Sequence, residues 1–402
     1  MKRVFFYSAF LAGLLLCSCG STQNNSNSAE TTSDSEMSPE SVPEEKEPAK
    51  ELKASADEVL YSFAFVGCNR VDRGDQQNTE ATNASSANVA VLKKIFSDVL
   101  AEERKPELFF FLGDLVYAES TTELLNSQLD AWVKQYKDPA FSEMVNSGIE
   151  MVAIPGNHEM LSWAKHPDQP DHDEWPLKGA TELWMKYMAE YMPSDREKVT
   201  GADAEVNQMT FAFTRANVGF VCMNTDTYNP PTKENPYGLE GMVPTDWIVA
   251  KVQEYQSNPD IDHVFVLGHK PYYVSCQPET GHTGLPEGPE LWPKFNESEV
   301  VAMLSAHVHD YQRMQPGDEG TYQVISGNGG SSGPAPFFGY TTINIMSDGS
   351  VELVAKGFDQ ETPYYKVSPD AVSTVRDQTT LTWTKNSNPY TDCPTPSTST
   401  AQ

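Results

Sequence analysis

The stretch MVAIPGNHE (151–159) decides the fold class, because a short apolar run ends in glycine and then in side chains that can bind metals. Similar runs recur along the chain: YSFAFVG (61–67), LFFFLGD (108–114), VGFVCMNTD (218–226), HVFVLGH (263–269), VVAMLSAH (300–307) and TYQVISGNGG (321–330). Runs of this length that are rich in Val, Ile and Phe are typical of buried strands. Segments with helical spacing, such as 88–103 and 246–257, lie between them. The alternation of strand and helix predicts an α/β fold.

Potential metal ligands follow these predicted strands at their carboxyl ends. The segments are GCNR (67–70), GDLVY (113–117), GNHE (156–159), GHKPYY (268–273) and AHVHDYQR (306–313). One such segment alone is weak evidence, because GD and GN pairs usually mark turns. Ligand sites of open α/β sheets lie beyond the carboxyl ends of the strands, so we expect these five segments to meet at one edge.

Together and in this order, the five segments resemble the motifs of the calcineurin-like metallophosphoesterase superfamily. Tyr117, three residues after Asp114, is similar to the purple acid phosphatase branch, and the resemblance covers residues 59–358. It implies a four-layer αββα sandwich with two metal ions at the sheet ends. It also implies that Asp114 bridges both ions, that Tyr117 and His309 bind the first, and that Asn157, His269 and His307 bind the second. His158 is implied as an outer acid or hydrogen-bond donor.

The donor types agree with such a centre. A bridging carboxylate offsets the repulsion between two cations about 3.5–4 Å apart. The phenol of Tyr117 has an ordinary pKa near 10, so the first ion must be strongly acidic, and Fe(III) is the natural candidate. Imidazoles with a carboxamide suit a divalent ion such as Zn, Mn or Fe(II). The resemblance implies a metal-dependent, acid phosphatase-like hydrolase that acts on small phosphate monoesters.

The first segment departs from the superfamily pattern, which has a carboxylate after the glycine where this chain has Cys68. Three interpretations stay open: the Cys68 thiolate binds the ferric ion, the first ion binds weakly, or the domain is an inactive relative. Arg70, on the same loop, is a candidate to hold a phosphate oxygen bidentately or to form a surface salt bridge. The alternatives for function are a phosphodiesterase or nucleotide hydrolase of the same fold, and a surface-binding lipoprotein without turnover.

The remaining cysteines have more ordinary interpretations. Cys222 lies in an apolar run and is expected in the core. Cys276 and Cys393 are candidates for a disulfide in an exported chain.

The N-terminal region predicts export. Lys2 and Arg3 precede an apolar run, 4–16, which spans only about 20 Å as a helix and is too short for a bilayer core of about 30 Å. The segment resembles a bacterial lipoprotein signal (residues 1–19) with Cys19 as the acylated residue, although an ordinary cleaved signal is the alternative. The expected location is therefore outside the cytoplasm, anchored to a membrane by lipid.

Composition sets the remaining boundaries. Residues 20–58 are polar and acidic and predict a disordered tether. Residues 59–360 are expected to form the metallophosphoesterase domain, and residues 361–402 are expected to form a polar C-terminal tail.

The 402 residues include 57 Asp and Glu against 28 Lys and Arg, a net charge of −29. Such acidity speaks against nucleic acid as a partner, because a polyphosphate needs a basic face.

Overall fold

The structure is a computed structural model that describes residues 58–71, 84–118, 121–162, 175–201, 204–227, 242–274, 282–316, 320–331, 335, 337–361 and 367–383. Several sequence-based predictions lie outside these residues. They are the signal segment with Cys19, the tether up to residue 57, and the disulfide between Cys276 and Cys393.

The strands are β1 (Val59–Val66), β2 (Leu108–Leu112), β3 (Glu150–Ile154), β4 (Leu161–Ser162), β5 (Trp175–Pro176), β6 (Glu197–Lys198), β7 (Phe211–Arg215), β8 (Val218–Met223), β9 (His263–Gly268), β10 (Ala302–Ser305), β11 (Tyr311–Met314), β12 (Tyr322–Ser326), β13 (Phe337–Met346), β14 (Val351–Asp359) and β15 (Thr374–Thr380). The helices are α1 (Val89–Ala101), α2 (Thr122–Tyr136), α3 (Ser142–Val145), α4 (Asn157–Met160), α5 (Ala180–Met188), α6 (Thr245–Ser257) and α7 (Gly288–Glu297). Short 3-10 helices span Pro139–Phe141 and Ala189–Tyr191.

Two mixed sheets form the centre of the domain. The first has the strand order β15-β14-β13-β1-β2-β3, and the second has the order β11-β12-β10-β9-β8-β7-β6. Strands β1, β2 and β3 are parallel, with Phe65 opposite Phe110 and Phe110 opposite Val152. Strands β8, β9, β10 and β12 of the second sheet are also parallel. The carboxyl ends of the motif-bearing strands therefore share one edge in each sheet.

Aromatic rings join the two sheets. The ring of Phe63 on β1 contacts Phe220 on β8 and Phe265 on β9, at centroid distances of 5.0 and 5.1 Å and edge-to-face angles of 88° and 77°. Edge-to-face pairs contribute about 0.5–1.5 kcal/mol beyond the burial of their area. These three rings belong to one buried apolar cluster that includes side chains of both sheets.

Helices cover the outer faces of the sheets. Helix α1 is amphipathic and packs its buried residues, Val91, Leu92, Ile95, Phe96 and Val99, into the core of the first sheet. Its N-terminus is capped by the Asn88 side chain, which accepts from the Val91 amide. Helices α6 and α7 form a second cluster with the outer face of the second sheet. The arrangement is the αββα sandwich that the resemblance implies. Within the described part of the chain, no helix has the length and apolar composition needed to cross a membrane.

The first sheet extends beyond the domain end predicted at residue 360. Strand β15, in the predicted polar tail, pairs antiparallel with β14. Its sequence TVRDQTT has no apolar run, because it is an edge strand on which only Asp377 is buried. Asp377 accepts hydrogen bonds from the Arg313 guanidinium and the Tyr311 hydroxyl on β11, so this edge strand is tied to the second sheet.

Candidate metal centre

The predicted site residues lie on loops that follow β1, β2, β3, β9 and β10. Three of them, Cys68, Asp114 and His307, have left-handed backbone conformations with φ of 57°, 57° and 64°. A non-glycine residue in this region costs on the order of 1–3 kcal/mol, and such residues cluster at functional sites. The loops are therefore held in conformations that their own sequences do not favour.

The loops after β2 and β3 approach each other closely at Gly156. A Cβ atom at this position would lie 2.4 Å from Asp114 Oδ1, so only glycine fits. The His158 amide donates to the same oxygen at 3.2 Å. The carboxylate of Asp114 is thus fixed by the GNHE backbone.

Glu159 holds this approach together, and the sequence pattern assigns it no role. Its Oε2 accepts from the amides of Asp114 and Gly156 at 3.0 and 2.8 Å, and its Oε1 accepts from Val116 at 3.0 Å. Burial raises the pKa of Glu159 to about 8, with the charge of Asp114 acting in the same direction and the three amides against it. The sequence signal that could have identified Glu159 is a carboxylate directly after GNH.

Four ligand atoms converge between the two sheets. His269 Nε2 lies 3.2 Å from Asp114 Oδ1 and 2.9 Å from Asn157 Oδ1. His307 Nδ1 lies 3.1 Å from the same Asn157 oxygen and 3.3 Å from His269 Nε2. The side chains are almost entirely buried. The structure therefore brings together the residues predicted for the second ion, with Asp114.

The hydrogen bonds indicate which of these atoms can bind a metal ion. His269 Nδ1 donates to the Leu112 carbonyl at 2.7 Å, so in a neutral ring the lone pair is on Nε2. This lone pair faces the oxygens of Asp114 and Asn157, which are also acceptors. Ligand atoms bonded to one ion at about 2.0–2.2 Å lie about 2.9–3.5 Å from one another, as these do. The donor set fits one divalent metal ion.

The residues predicted for the first ion are arranged differently. Arg70 Nη2 lies 3.3 Å from His309 Nε2, and Arg70 Nε lies 3.8 Å from Asp114 Oδ2. The Arg70 Cζ atom lies 5.6 Å from the centre of the Tyr117 ring. Asp114, Tyr117 and His309 therefore surround a guanidinium, and the surface salt bridge considered for Arg70 is not what the structure shows.

Cys68 lies on the side of the second ion. Its Sγ is within 4.8 Å of ligand atoms of Asp114 and His269. Burial raises the pKa of the Cys68 thiol, and the charge of Asp114 raises it further. Two hydrogen bonds fix this loop. The Cys68 amide donates to the Gly113 carbonyl at 3.0 Å, and the Ser331 amide donates to the Cys68 carbonyl at 2.8 Å. Cys222 is buried in β8, as expected.

His158 lies beside the centre rather than among the four ligand atoms. Its Nδ1 donates to the Tyr117 carbonyl at 3.1 Å, and its Nε2 is 3.9 Å from Asp114 Oδ2. Burial, with the nearby charge of Arg70, lowers the pKa of His158 well below its usual value. The neutral ring packs on that of Tyr117 at a centroid distance of 5.1 Å.

Further polar residues border the centre and were not predicted from the sequence. The His282 ring lies 4.8 Å from that of His307 and 5.2 Å from that of His309. Burial lowers the pKa of His282 to about 4, with Arg70 acting in the same direction. Lys270 and Asp226 form a fully buried ion pair at 3.0 Å beside His269. Position after a strand end was a signal for Asp226, whereas His282 follows no strand.

Comparison with solved structures shows similarity in fold. The chain is 12% identical to PhoD, covering 81% of this chain and 70% of that one, with a TM-score of 0.52. It is 14% identical to GAP50, described as the anchor in the inner membrane complex of Plasmodium, covering 82% and 91% of the two chains with a TM-score of 0.47. No curated protein sequence matches the chain.

The family comparison is more specific. The family model described as calcineurin-like phosphoesterase matches residues 81–311, which is more than half of the chain. This family uses dinuclear metal centres to hydrolyse phosphoesters, and the matched segment contains Asp114, Asn157, His269, His307 and His309. The chain belongs to the calcineurin-like phosphoesterase family.

Proposed function

We propose that this chain is a metal-dependent phosphomonoester hydrolase. The observation that carries the proposal is the convergence of Asp114, Asn157, His269 and His307, whose neighbouring ligand atoms lie 2.9–3.3 Å apart, the spacing expected around one ion. These residues would hold a divalent ion, Zn, Mn or Fe(II). Where a first ion is bound, the phenol of Tyr117 favours ferric iron.

The chain's own residues have separate tasks in this proposal. A divalent ion held by these residues would supply Lewis acidity toward a phosphoryl oxygen and would make bound water more acidic. Asp114 orients the donor set, because its Oδ1 is fixed by the His158 amide. His158 retains the proton on Nδ1 through the Tyr117 carbonyl and faces Asp114 with Nε2. Arg70 offers a planar donor to phosphate oxygens.

Arg70 also supports the preference for monoesters. A monoester carries more negative charge than a diester at neutral pH, and the Arg70 side chain brings a permanent positive charge that is 10% exposed. A buried guanidinium next to the metal ligands attracts the more negatively charged monoester more strongly than it attracts the diester. The net charge of −29 does not oppose a small ester, since charges beyond about 8–10 Å are screened.

The proposal includes the location. We infer export and anchoring through acylated Cys19 from the N-terminal sequence, with the acidic segment 20–58 as a tether. The substrate would then be a small phosphate ester outside the cytoplasm.

The test compares Asp114→Asn with the wild type on p-nitrophenyl phosphate and bis(p-nitrophenyl) phosphate. We expect the wild type to prefer the monoester and Asp114→Asn to lose at least 100-fold in kcat/KM, as is common for a group that orients the reacting centre. Asp260→Asn, an exposed carboxylate on another loop, is the matched control and should retain full activity. Full activity of folded Asp114→Asn would refute the proposal. A wild type that binds metal but hydrolyses neither ester would favour a binding protein, and a preference for the diester would favour the phosphodiesterase alternative.

A further inference from the structure

The guanidinium of Arg70 occupies the space between the residues that the family resemblance assigns to the first ion. Its Nη2 lies 3.3 Å from His309 Nε2, and its Nε lies 3.8 Å from Asp114 Oδ2. Its Cζ atom faces the Tyr117 ring at 5.6 Å. A positive group already contacts each of these three side chains.

The backbone fixes Arg70 in this position. The Arg70 amide donates to the Asp114 carbonyl at 3.0 Å, and the Ser331 hydroxyl donates to the Arg70 carbonyl at 2.7 Å. Arg70 also forms an isolated β-bridge with Ala87. These contacts come from three separate parts of the chain and fix the backbone at Arg70, and the side chain is placed by its contacts with His309 and Asp114.

Charge makes the guanidinium and a metal ion exclude each other at this place. Arg remains protonated at all ordinary pH values, so Arg70 cannot become neutral to admit an ion. An ion bound to His309 Nε2 and Asp114 Oδ2 would lie within a few ångströms of the guanidinium, where solvent is excluded and screening is weak.

The presence of Cys68, where the superfamily pattern has a carboxylate, also disfavours a metal ion at this place. With Cys68 at this position, the loop offers the first ion one carboxylate fewer than the superfamily pattern does. Arg70 adds a positive charge two residues later. The two departures together make this place less suited to a cation.

We infer that this chain holds one metal ion, at Asp114, Asn157, His269 and His307, and that Arg70 takes the place of the other ion. The inference rests on the proposed metal centre and changes its composition. The guanidinium would serve as the second electrophile facing the phosphate group. Tyr117 and His309 are then partners of Arg70 rather than metal ligands.

The experiment counts the ions. Full-length protein is loaded with Mn(II), freed of excess metal, and measured for manganese per chain by mass spectrometry and for its electron paramagnetic resonance signal. We expect one ion per chain with the six-line signal of an isolated Mn(II). Arg70→Met, which keeps the length of the side chain and removes its charge, should bind a second ion and give an exchange-coupled signal. Arg70→Lys keeps a positive charge and should remain at one ion.

Each outcome decides the matter. Two ions in the wild type would overturn the inference and leave the proposed hydrolase intact, whether or not the variants fold. A single ion in folded Arg70→Met would show that Arg70 does not exclude the other ion, and would also overturn it. No bound metal in the wild type would refute the metal centre itself, and the inference with it.

Discussion

Glu159 joins the loops of Asp114 and Asn157, and its removal should cost a large part of the stability of the domain. The carboxylate accepts hydrogen bonds from three backbone amides, those of Asp114, Val116 and Gly156, and it is fully buried. Leaving one buried donor without a partner costs about 1–3 kcal/mol. Glu159→Ala would strand all three donors, so the expected loss is about 3–9 kcal/mol, out of a typical total of about 5–15 kcal/mol.

Glu159→Gln separates hydrogen bonding from side-chain volume. Its amide oxygen can accept from Asp114 and Gly156, while its NH2 group faces the Val116 donor, so the expected loss is about 1–3 kcal/mol. The assay is urea unfolding followed by tryptophan fluorescence, in chelator so that metal binding does not contribute. Glu143→Ala, at an exposed helix position, is the control and should change stability by less than about 0.5 kcal/mol. If Glu159→Ala lies within about 1 kcal/mol of the wild type, or if Gln is as costly as Ala, the account of this carboxylate is wrong.

Two further predictions concern stability away from the centre. Asp377→Ala should cost about 3–5 kcal/mol in urea unfolding, because it breaks the buried ion pair between Asp377 and Arg313. Asp359→Ala, which breaks the exposed pair with Arg376 on the same sheet, should cost at most about 1 kcal/mol, and equal losses would contradict this reasoning. Burial raises the pKa of Glu287 in the folded protein above its unfolded value, which is near 4.5. The protonated side chain of Glu287 therefore contributes stability below about pH 4.5, and this stability is lost as the pH rises through the folded pKa. Glu287→Gln should therefore be more stable than the wild type at pH 8 and lose this advantage at pH 4, and a difference that does not vary with pH would refute the reasoning.

The sequence predicts most of the framework, because the signals for the central strands are local. A run such as LFFFLGD combines apolar residues with a glycine that ends the strand, and β2 spans Leu108–Leu112 as this pattern indicates. Parallel strands then bring their carboxyl ends to one edge of each sheet, which is sufficient to expect Asp114 beside Asn157 and His269 beside His307. The strand β15 was missed because an edge strand with a single buried side chain has no apolar run.

The composition of the centre was harder to predict, because it depends on distances across the fold. Nothing in GCNR indicates that the Arg70 guanidinium reaches His309, which is 239 residues away in sequence. His282 is similar, since it borders the centre through ring contacts and not through a strand end. Motif spacing identifies which residues arrive at an edge, but not which of them face one another.

The sandwich also determines when the centre can be loaded. Asn157 follows a strand of the first sheet and His307 a strand of the second, 150 residues later, yet their side chains lie 3.1 Å apart. The donor set therefore exists only after both sheets have formed and packed, and a partly synthesised or partly folded chain cannot select an ion. The compartment in which folding is completed supplies the metal, and the concentrations of metal ions there decide which ion the finished protein carries.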